Sequence, residues 1–229
     1  MRFVFVFICS VLIFNICLPA QNGKLVTVKA GTKVLDYFPV QERYRYPEFV
    51  PGQVFFKNGV VNSARFNYNI LFGEIEFIQS RDTLSIVKKK DIRLITVAQD
   101  TFIYDNCYLE VISGGQVKVG LKQYVQLKDV LKKGAFGTTA RSVSIDSYKS
   151  MNAGGVSYDL IPDEEIVLQK TREYYLATTS GGFVQFSKKN AIQLFPQRAD
   201  NIKSYLKSNK IKFDSRDDLL RFADYLRNP

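Results

Sequence analysis

The sequence predicts a mainly β protein, in which an antiparallel meander forms a sandwich or a partly closed barrel and two to three C-terminal α-helices pack on it. Two observations support this prediction. From about residue 24 to residue 186, apolar and polar residues alternate in short runs that are closed by turn residues, as in half-buried strands. From Ser187 onward, the apolar residues recur at the 3.6-residue spacing of a helix. The turns are too close together for crossover helices, so neighbouring strands are expected to pair antiparallel.

The predicted strands follow one another with a turn signal between most neighbours. Asn58-Gly59, the strongest short hairpin signal, joins two of them. Two regions lack the alternation. The first, 37–51, holds three prolines and is expected to be extended or turning, and the second, 134–155, is polar and predicted to be a long loop. The predicted strands are 25–28, 53–57, 60–61, 64–70, 74–78, 83–87, 92–97, 101–104, 107–112, 116–119, 173–178 and 183–186.

Helical runs are predicted after the last strand. Ser187 is placed to cap a first helix over 188–195, and Pro196 breaks or restarts the helix. Ser215 followed by Asp218 has the spacing of a capping box, with Asp in place of the usual Glu. The apolar faces fit to dock on a sheet are Ala199, Ile202, Tyr205 and Leu206 in the second run and Leu219, Phe222, Ala223 and Leu226 in the third.

The N-terminal segment has the layout of a secretory signal peptide. Arg2 precedes an apolar run over 3–14 that is short for a membrane span, and Ala20 is the small residue expected at a cleavage site. No later apolar stretch is long enough to span a membrane, so none is expected after cleavage. We expect export to the periplasm, with release from the cell or association with the outer membrane as alternatives. The predicted parts are a signal peptide at 1–20, a β-rich domain at 21–186 and a docked helical segment at 187–229.

The composition excludes several kinds of chemistry. The chain has no histidine, which excludes Ser-His-Asp triads, Cys-His pairs and imidazole metal ligands. Signal cleavage would remove Cys9 and Cys17 and leave Cys107, which is predicted to be a buried structural cysteine. The 32 Lys and Arg against 22 Asp and Glu give a formal net charge of +10, which suits an anionic partner. No nucleic-acid motif accompanies this charge, and no metal or cofactor site is expected.

Three stretches together resemble a known group of proteins. They are GVVNSARFNYNILFGEIEF at 59–77, KGAFGTT at 133–139, and the closing stretch over 195–213 that leads into the final helix. They resemble uncharacterised secreted or periplasmic β-rich proteins of Bacteroidetes-type bacteria, in which a Gln directly after the signal, here Gln21, is also common. The resemblance implies a cell-envelope setting in a Gram-negative cell.

Arginine and tyrosine alternate at Arg43, Tyr44, Arg45 and Tyr46. A tract that mixes cations and rings can stack on sugars or bases, or dock a partner. The alternative is that the rings pack under the β domain while the arginine head groups stay in water.

A second group of candidate binding residues lies on the second predicted helix. Lys203, Lys207 and Lys210 recur on the face opposite its apolar residues. Together with the lysines at 88–90 and 132–133, they are candidates for a patch that attracts an anionic surface, either lipid head groups or polysaccharide. The alternative is an ordinary solvated face.

The leading functional hypothesis is a non-enzymatic cell-envelope protein that acts as a binding or accessory subunit, with an envelope protein or an anionic surface as its partner. One alternative is a carboxylate-dependent hydrolase of envelope or extracellular glycans. Glu74 and Glu76 are two residues apart on one predicted strand, so their carboxylates point to the same side and could serve as acid and base. The simpler interpretation is that this side of the strand is exposed to solvent. The other alternative is a barrel that holds a small apolar ligand among inward-facing residues such as Phe66, Tyr68 and Phe77.

Overall fold

The computed structural model describes residue 23 and the ranges 25–133, 139–141, 161–179 and 181–228. The predicted signal segment, Gln21 and most of the predicted loop at 134–155 lie outside these described residues.

The described strands form one large antiparallel sheet. Its order is β1-β11-β9-β8-β7-β6-β2-β3-β4-β5, with β10 paired to β9 and β12 to β11. Most neighbours in the sheet are also neighbours in the chain, as expected for a meander. The strands are β1 (Leu25–Val28), β2 (Val50–Phe56), β3 (Val61–Asn69), β4 (Glu74–Gln79), β5 (Asp82–Ser85), β6 (Ile92–Val97), β7 (Asp100–Asp105), β8 (Cys107–Ser113), β9 (Val117–Lys133), β10 (Thr139–Arg141), β11 (Glu165–Thr178) and β12 (Val184–Gln185).

Strands β9 and β11 are much longer than the sequence predicts. They span 17 and 14 residues and pair with each other along the whole length of β11. The register shifts where Val167 faces Asp129 and Leu168 faces Leu127, so Lys128 is an extra residue in β9. On the face of β9 that carries Val125, the next buried residue is Val130, so the bulge shifts the alternation along this face by one residue.

Five α-helices are described. Ser187 accepts a hydrogen bond from the N–H of Asn190, and Ser215 accepts one from the N–H of Asp218, so both predicted N-caps are confirmed. The first two helices are single turns: α1 ends where the proline-rich region begins, and α2 lies within that region. The helices are α1 (Val34–Tyr37), α2 (Val40–Arg43), α3 (Lys188–Leu194), α4 (Ala199–Ser208) and α5 (Arg216–Arg227).

Helices α3, α4 and α5 pack against β9 and β11 and bury the predicted apolar faces. Leu219, Phe222 and Ala223 of α5 are fully buried in one cluster with Val119 and Leu176 of the sheet. Burial of this much apolar surface is what docks the helices. None of the described helices has both the length and the apolar composition that a membrane crossing requires.

The open sheet curls over itself between β3 and β9. The hydroxyl of Tyr68 donates to the backbone carbonyl of Gln123 at 2.6 Å, and the Tyr68 ring stacks on Phe102 at 5.4 Å between ring centroids. Strands β2, β3, β4, β6, β7 and β8 share one apolar core as a result. The predicted fold class, mainly antiparallel β with C-terminal helices packed on it, is confirmed.

Candidate functional site

The predicted arginine–tyrosine segment, 43–46, lies alongside β3. The N–H of Arg45 donates to the carbonyl of Tyr68 at 3.0 Å, and the N–H of Ile70 donates to the carbonyl of Arg43 at 2.7 Å. These backbone hydrogen bonds attach the segment to the end of β3, next to the part of β3 that pairs with β2. The side chains of the segment therefore have fixed positions relative to the sheet.

Both tyrosines of the segment direct their hydroxyls into the protein. Tyr44 donates to Glu76 Oε2 at 2.9 Å, and Tyr46 donates to Asp100 Oδ2 at 2.6 Å. Burial and the hydrogen bond to Asp100 raise the pKa of Tyr46, which therefore stays neutral. The rings thus pack on the β domain, as in the second of the two interpretations of this tract.

The two arginines of the segment have different roles. Arg43 Nε donates to the carbonyl of Phe38 at 2.7 Å and thereby fixes the end of α2. The Arg45 side chain is 38% exposed and lies 3.4 Å from Glu110 through Nε and 3.4 Å from Asp100 through Nη2. Burial by itself lowers the pKa of Arg45, but the carboxylates of Glu110 and Asp100 raise it by more, so the net shift is upward.

Arg45 lies at the edge of a cleft of about 280 Å³, which we call the arginine cleft. Strands β8, β9 and β11 supply its walls, and the first residue of α5 completes it. Its lining residues are Arg45, Ile70, Glu110, Leu121, Gln123, Arg172, Tyr174 and Arg216.

Two guanidinium groups of the arginine cleft have no partner within the described part of the chain. Neither Arg172 nor Arg216 has a recorded hydrogen bond or ion pair there, and both are exposed. Their charge nevertheless acts on Tyr174, since burial raises the pKa of this tyrosine and the two arginines oppose the rise. Glu110 is held by Arg45, so the lining residues carry an excess of positive charge. The carboxylates of Asp214 and Asp217, close enough to act on Tyr174, reduce this excess in part.

The arginine cleft is chemically suited to a compact anion. Guanidinium groups present planar sets of N–H donors that match carboxylate and phosphate oxygens, and such charge-assisted hydrogen bonds are among the strongest in proteins. Gln123 and Tyr174 add neutral polar groups to the same wall, and Ile70 and Leu121 add apolar surface.

The predicted lysine group is separate from this cleft, and its placement on one helical face is wrong for Lys210. Lys203 and Lys207 belong to α4, whereas Lys210 lies beyond the end of that helix, where a φ of 49° has already ended the helical path. Lys203, Lys207 and Lys210 are exposed, and Lys203 Nζ lies 2.9 Å from Asp200 Oδ1. None of the three lines the arginine cleft. The side chains of the lysines at 132–133 lie outside the described residues, so their part in the predicted patch stays a prediction.

The lysine run 88–90 is not entirely solvated, because Lys89 is paired. Its Nζ lies 2.6 Å from Glu74 Oε2, and both side chains are largely buried. Burial raises the pKa of Glu74, and Lys89 opposes the rise. Lys89 therefore compensates a partly buried carboxylate and is unavailable to a surface patch.

The prediction that the Glu74–Glu76 side of β4 is wet is wrong. Glu76 is 0% exposed. It accepts hydrogen bonds from the Tyr44 hydroxyl and, at 2.9 Å, from the side-chain amide of Asn69. The arginine–tyrosine segment covers this part of the sheet, which sequence alternation within β4 alone could not indicate.

Cys107 lies at the start of β8 and is half-buried. Burial raises the pKa of its thiol, although Lys122 opposes the rise. The neutral thiol is the form expected of a structural cysteine. Within the described residues, acidic and cysteine side chains form no group that could hold a metal ion.

The three residues predicted to face the inside of a barrel are only partly available to a ligand. Phe66 and Phe77 line a cavity of about 580 Å³ at one end of the curled sheet. Tyr68 does not line this cavity and is buried, stacked on Phe102.

Sequence reasoning identified Arg45 but not Arg172 or Arg216. Arg45 stands out because arginine and tyrosine alternate around it, whereas Arg172 is one polar residue in a strand and Arg216 is one basic residue in a polar turn. The fold brings them together from three distant parts of the chain, and no local pattern indicates this.

Comparison with known proteins adds no relative: no family model matches the chain, and neither a curated protein nor a solved structure does.

Proposed function

We propose that the protein is a non-enzymatic, exported cell-envelope protein that binds an anionic envelope component at the arginine cleft. The ligand chemistry is a carboxylate or phosphate group, carried by a polysaccharide or by a lipid head group. The observation that supports this proposal is the convergence of Arg45, Arg172 and Arg216 on one cleft that holds a single carboxylate, Glu110.

The arrangement of the cleft supports binding rather than structural stabilisation. Like charges brought together on a surface repel one another, and this cost is recovered when an anion binds between them. Glu110 and Asp100 fix Arg45, which reduces the side-chain freedom that a ligand would otherwise have to restrict. Arg172 and Arg216 remain available for the ligand.

Export and an envelope location are the part of the proposal that rests on sequence. The basic start, the apolar run and Ala20 support a signal peptide. The resemblance to secreted β-rich proteins supports the same compartment. An envelope glycan or an anionic lipid is the kind of ligand that such a location would provide.

Calorimetric titration of the purified protein tests the proposal. The probes are trigalacturonate, which carries carboxylates without lipid, and vesicles of phosphatidylglycerol, compared with phosphatidylcholine vesicles. We expect one anionic probe to bind and the double variant Arg172→Gln/Arg216→Gln to weaken binding at least tenfold. The reason is that each charge-assisted hydrogen bond contributes about 1.5–3 kcal/mol.

A matched control separates the cleft from general charge. The double variant Arg81→Gln/Lys188→Gln removes the same charge at exposed positions outside the cleft lining, and we expect it to change the dissociation constant less than twofold. If neither anionic probe binds, or if the control variant weakens binding as much as the cleft variant, the proposal is wrong.

A further inference from the structure

The cavity at the end of the curled sheet is lined by apolar residues on one part of its wall and by polar residues on the rest. Its volume is about 580 Å³, and aromatic rings form much of its wall. Val61, which lines the cavity, and its chain neighbour Val60 are 46% and 48% exposed, and apolar side chains exposed together on a surface are a feature of binding grooves. The apolar lining residues are Val54, Phe56, Val61, Ala64, Phe66, Phe77, Ile78 and Ile86, and the polar ones are Asn62, Ser63 and Gln79.

A second, polar cleft continues from this cavity. Its volume is about 520 Å³, and it shares Phe56 and Asn62 with the apolar cavity. Its other lining residues include Lys57, Lys88 and Asp91. We call the two together the amphipathic cleft.

The charges of the polar part are held close together by the backbone. The N–H of Lys57 donates to the carbonyl of Asp91 at 2.8 Å, which joins the turn after β2 to the start of β6. Lys57 and Lys88 are exposed and have no recorded hydrogen bond or ion pair of their side chains within the described residues. Two ammonium groups and one carboxylate leave the polar part with one excess positive charge.

We propose that the amphipathic cleft binds a long-chain fatty acid, with its hydrocarbon chain along the apolar wall and its carboxylate at Lys57 and Lys88. The single excess charge matches one carboxylate, whereas a zwitterionic head group would gain nothing from it. An apolar cavity open at one side accepts a single flexible chain, and each buried methylene adds about fourfold to the affinity. This site is separate from the arginine cleft and does not depend on it.

Displacement of a fluorescent fatty acid tests the proposal. The purified full protein, freed of co-purified lipid, is titrated with cis-parinaric acid below its micelle concentration and then with palmitate. We expect stoichiometric binding of the probe that palmitate displaces. The double variant Lys57→Gln/Lys88→Gln should weaken palmitate binding by at least fivefold and should leave the binding of neutral hexadecanol within twofold of the parent.

Three controls keep the test specific. Lys188→Gln/Lys189→Gln removes two exposed lysines elsewhere and should leave palmitate binding unchanged. Arg172→Gln/Arg216→Gln should also leave palmitate binding unchanged, because neither arginine lines the amphipathic cleft. A loss of binding in this variant would show that palmitate binds in the arginine cleft. A Phe77→Ala variant, checked for folding by circular dichroism, should weaken palmitate and hexadecanol equally.

The proposal is overturned if palmitate does not displace the probe, or if palmitate and hexadecanol bind equally and the Lys57→Gln/Lys88→Gln variant changes neither. It is also overturned if the arginine-cleft variant abolishes palmitate binding, or if a zwitterionic lysophospholipid binds more tightly than palmitate.

Discussion

The fully buried carboxylate of Glu76 accepts hydrogen bonds from the Tyr44 hydroxyl and from the Asn69 side-chain amide. A buried carboxylate without partners would be very costly, so these bonds are needed for the fold. They also link the arginine–tyrosine segment to β4, so the position of Arg45 depends indirectly on Glu76.

Replacing Glu76 with alanine should lower the free energy of unfolding by about 2–4 kcal/mol, because the Tyr44 hydroxyl and the Asn69 side-chain amide would each lose a hydrogen bond to a buried carboxylate. Urea unfolding measures this change. Glu48→Ala is the control: the Glu48 side chain is 76% exposed and 3.7 Å from Arg65, so its loss should cost less than about 0.5 kcal/mol. Equal effects of the two variants would contradict the prediction.

The reactivity of Cys107 should depend on pH in a predictable direction. Burial raises the pKa of its thiol, so the thiolate fraction at neutral pH is lower than that of a free cysteine, whose pKa is about 8.5. We expect iodoacetamide to modify folded Cys107 at least about tenfold more slowly than urea-unfolded Cys107 at pH 7.5, with the rate still rising above pH 9.

A variant in which Cys9 and Cys17 are replaced by serine makes Cys107 the reporting thiol. A folded-state rate that levels off near pH 8.5 or below would show that burial does not control the thiol.

At the scale of elements, helix α5 connects the stability of the fold to the arginine cleft. Its cap is Ser215, its first residue is Arg216, and its buried face packs on β9. At its other end, Arg227 donates to the carbonyl of Val117 at the start of β9. Fraying of the first turn would therefore move Arg216 without releasing the rest of the helix.

Replacing Ser215 with alanine should cost about 1 kcal/mol of stability, because the N–H of Asp218 loses its acceptor. It should also weaken anion binding at the arginine cleft, since Arg216 follows the cap directly. Thermal unfolding and the titration described above measure the two effects. Ser208→Ala, at the exposed end of α4, should change neither; a loss of stability in this control as large as in Ser215→Ala would contradict the assigned role of the cap.

The long antiparallel pair of β9 and β11 shows where element prediction fails. Helices α3 to α5 were predictable because caps and apolar spacing are local signals. Most of β9 was not, because adjacent residues are buried on its two faces, Leu121 beside Gly120 and Val125 beside Tyr124, and the bulge at Lys128 then shifts the alternation by one residue. Strand length here is set by pairing with β11, a partner distant in sequence.

At the scale of the whole molecule, the fold class followed from the period of hydrophobicity, whereas the candidate sites did not. Arg45, Arg172 and Arg216 meet only because β11 pairs with β9 and α5 packs against the same strands. The amphipathic cleft likewise depends on how the sheet curls around the core that β2 to β8 share. The curvature of the sheet and the pairing of strands that are distant in the chain arise from tertiary packing. A single sequence carries little information about either.

The pairing of β1 with β11 has a consequence for how the protein is made. Leu25 lies opposite Gln169, and the Gln169 side-chain amide donates to the carbonyl of Gly23 across 146 positions of the chain. A chain that emerges from a ribosome or a translocation pore in sequence order presents β1 long before its partner. The meander from β2 to β8 can pair strand by strand as it appears, while β1 waits for β11, so a chaperone that protects an unpaired strand would act at β1.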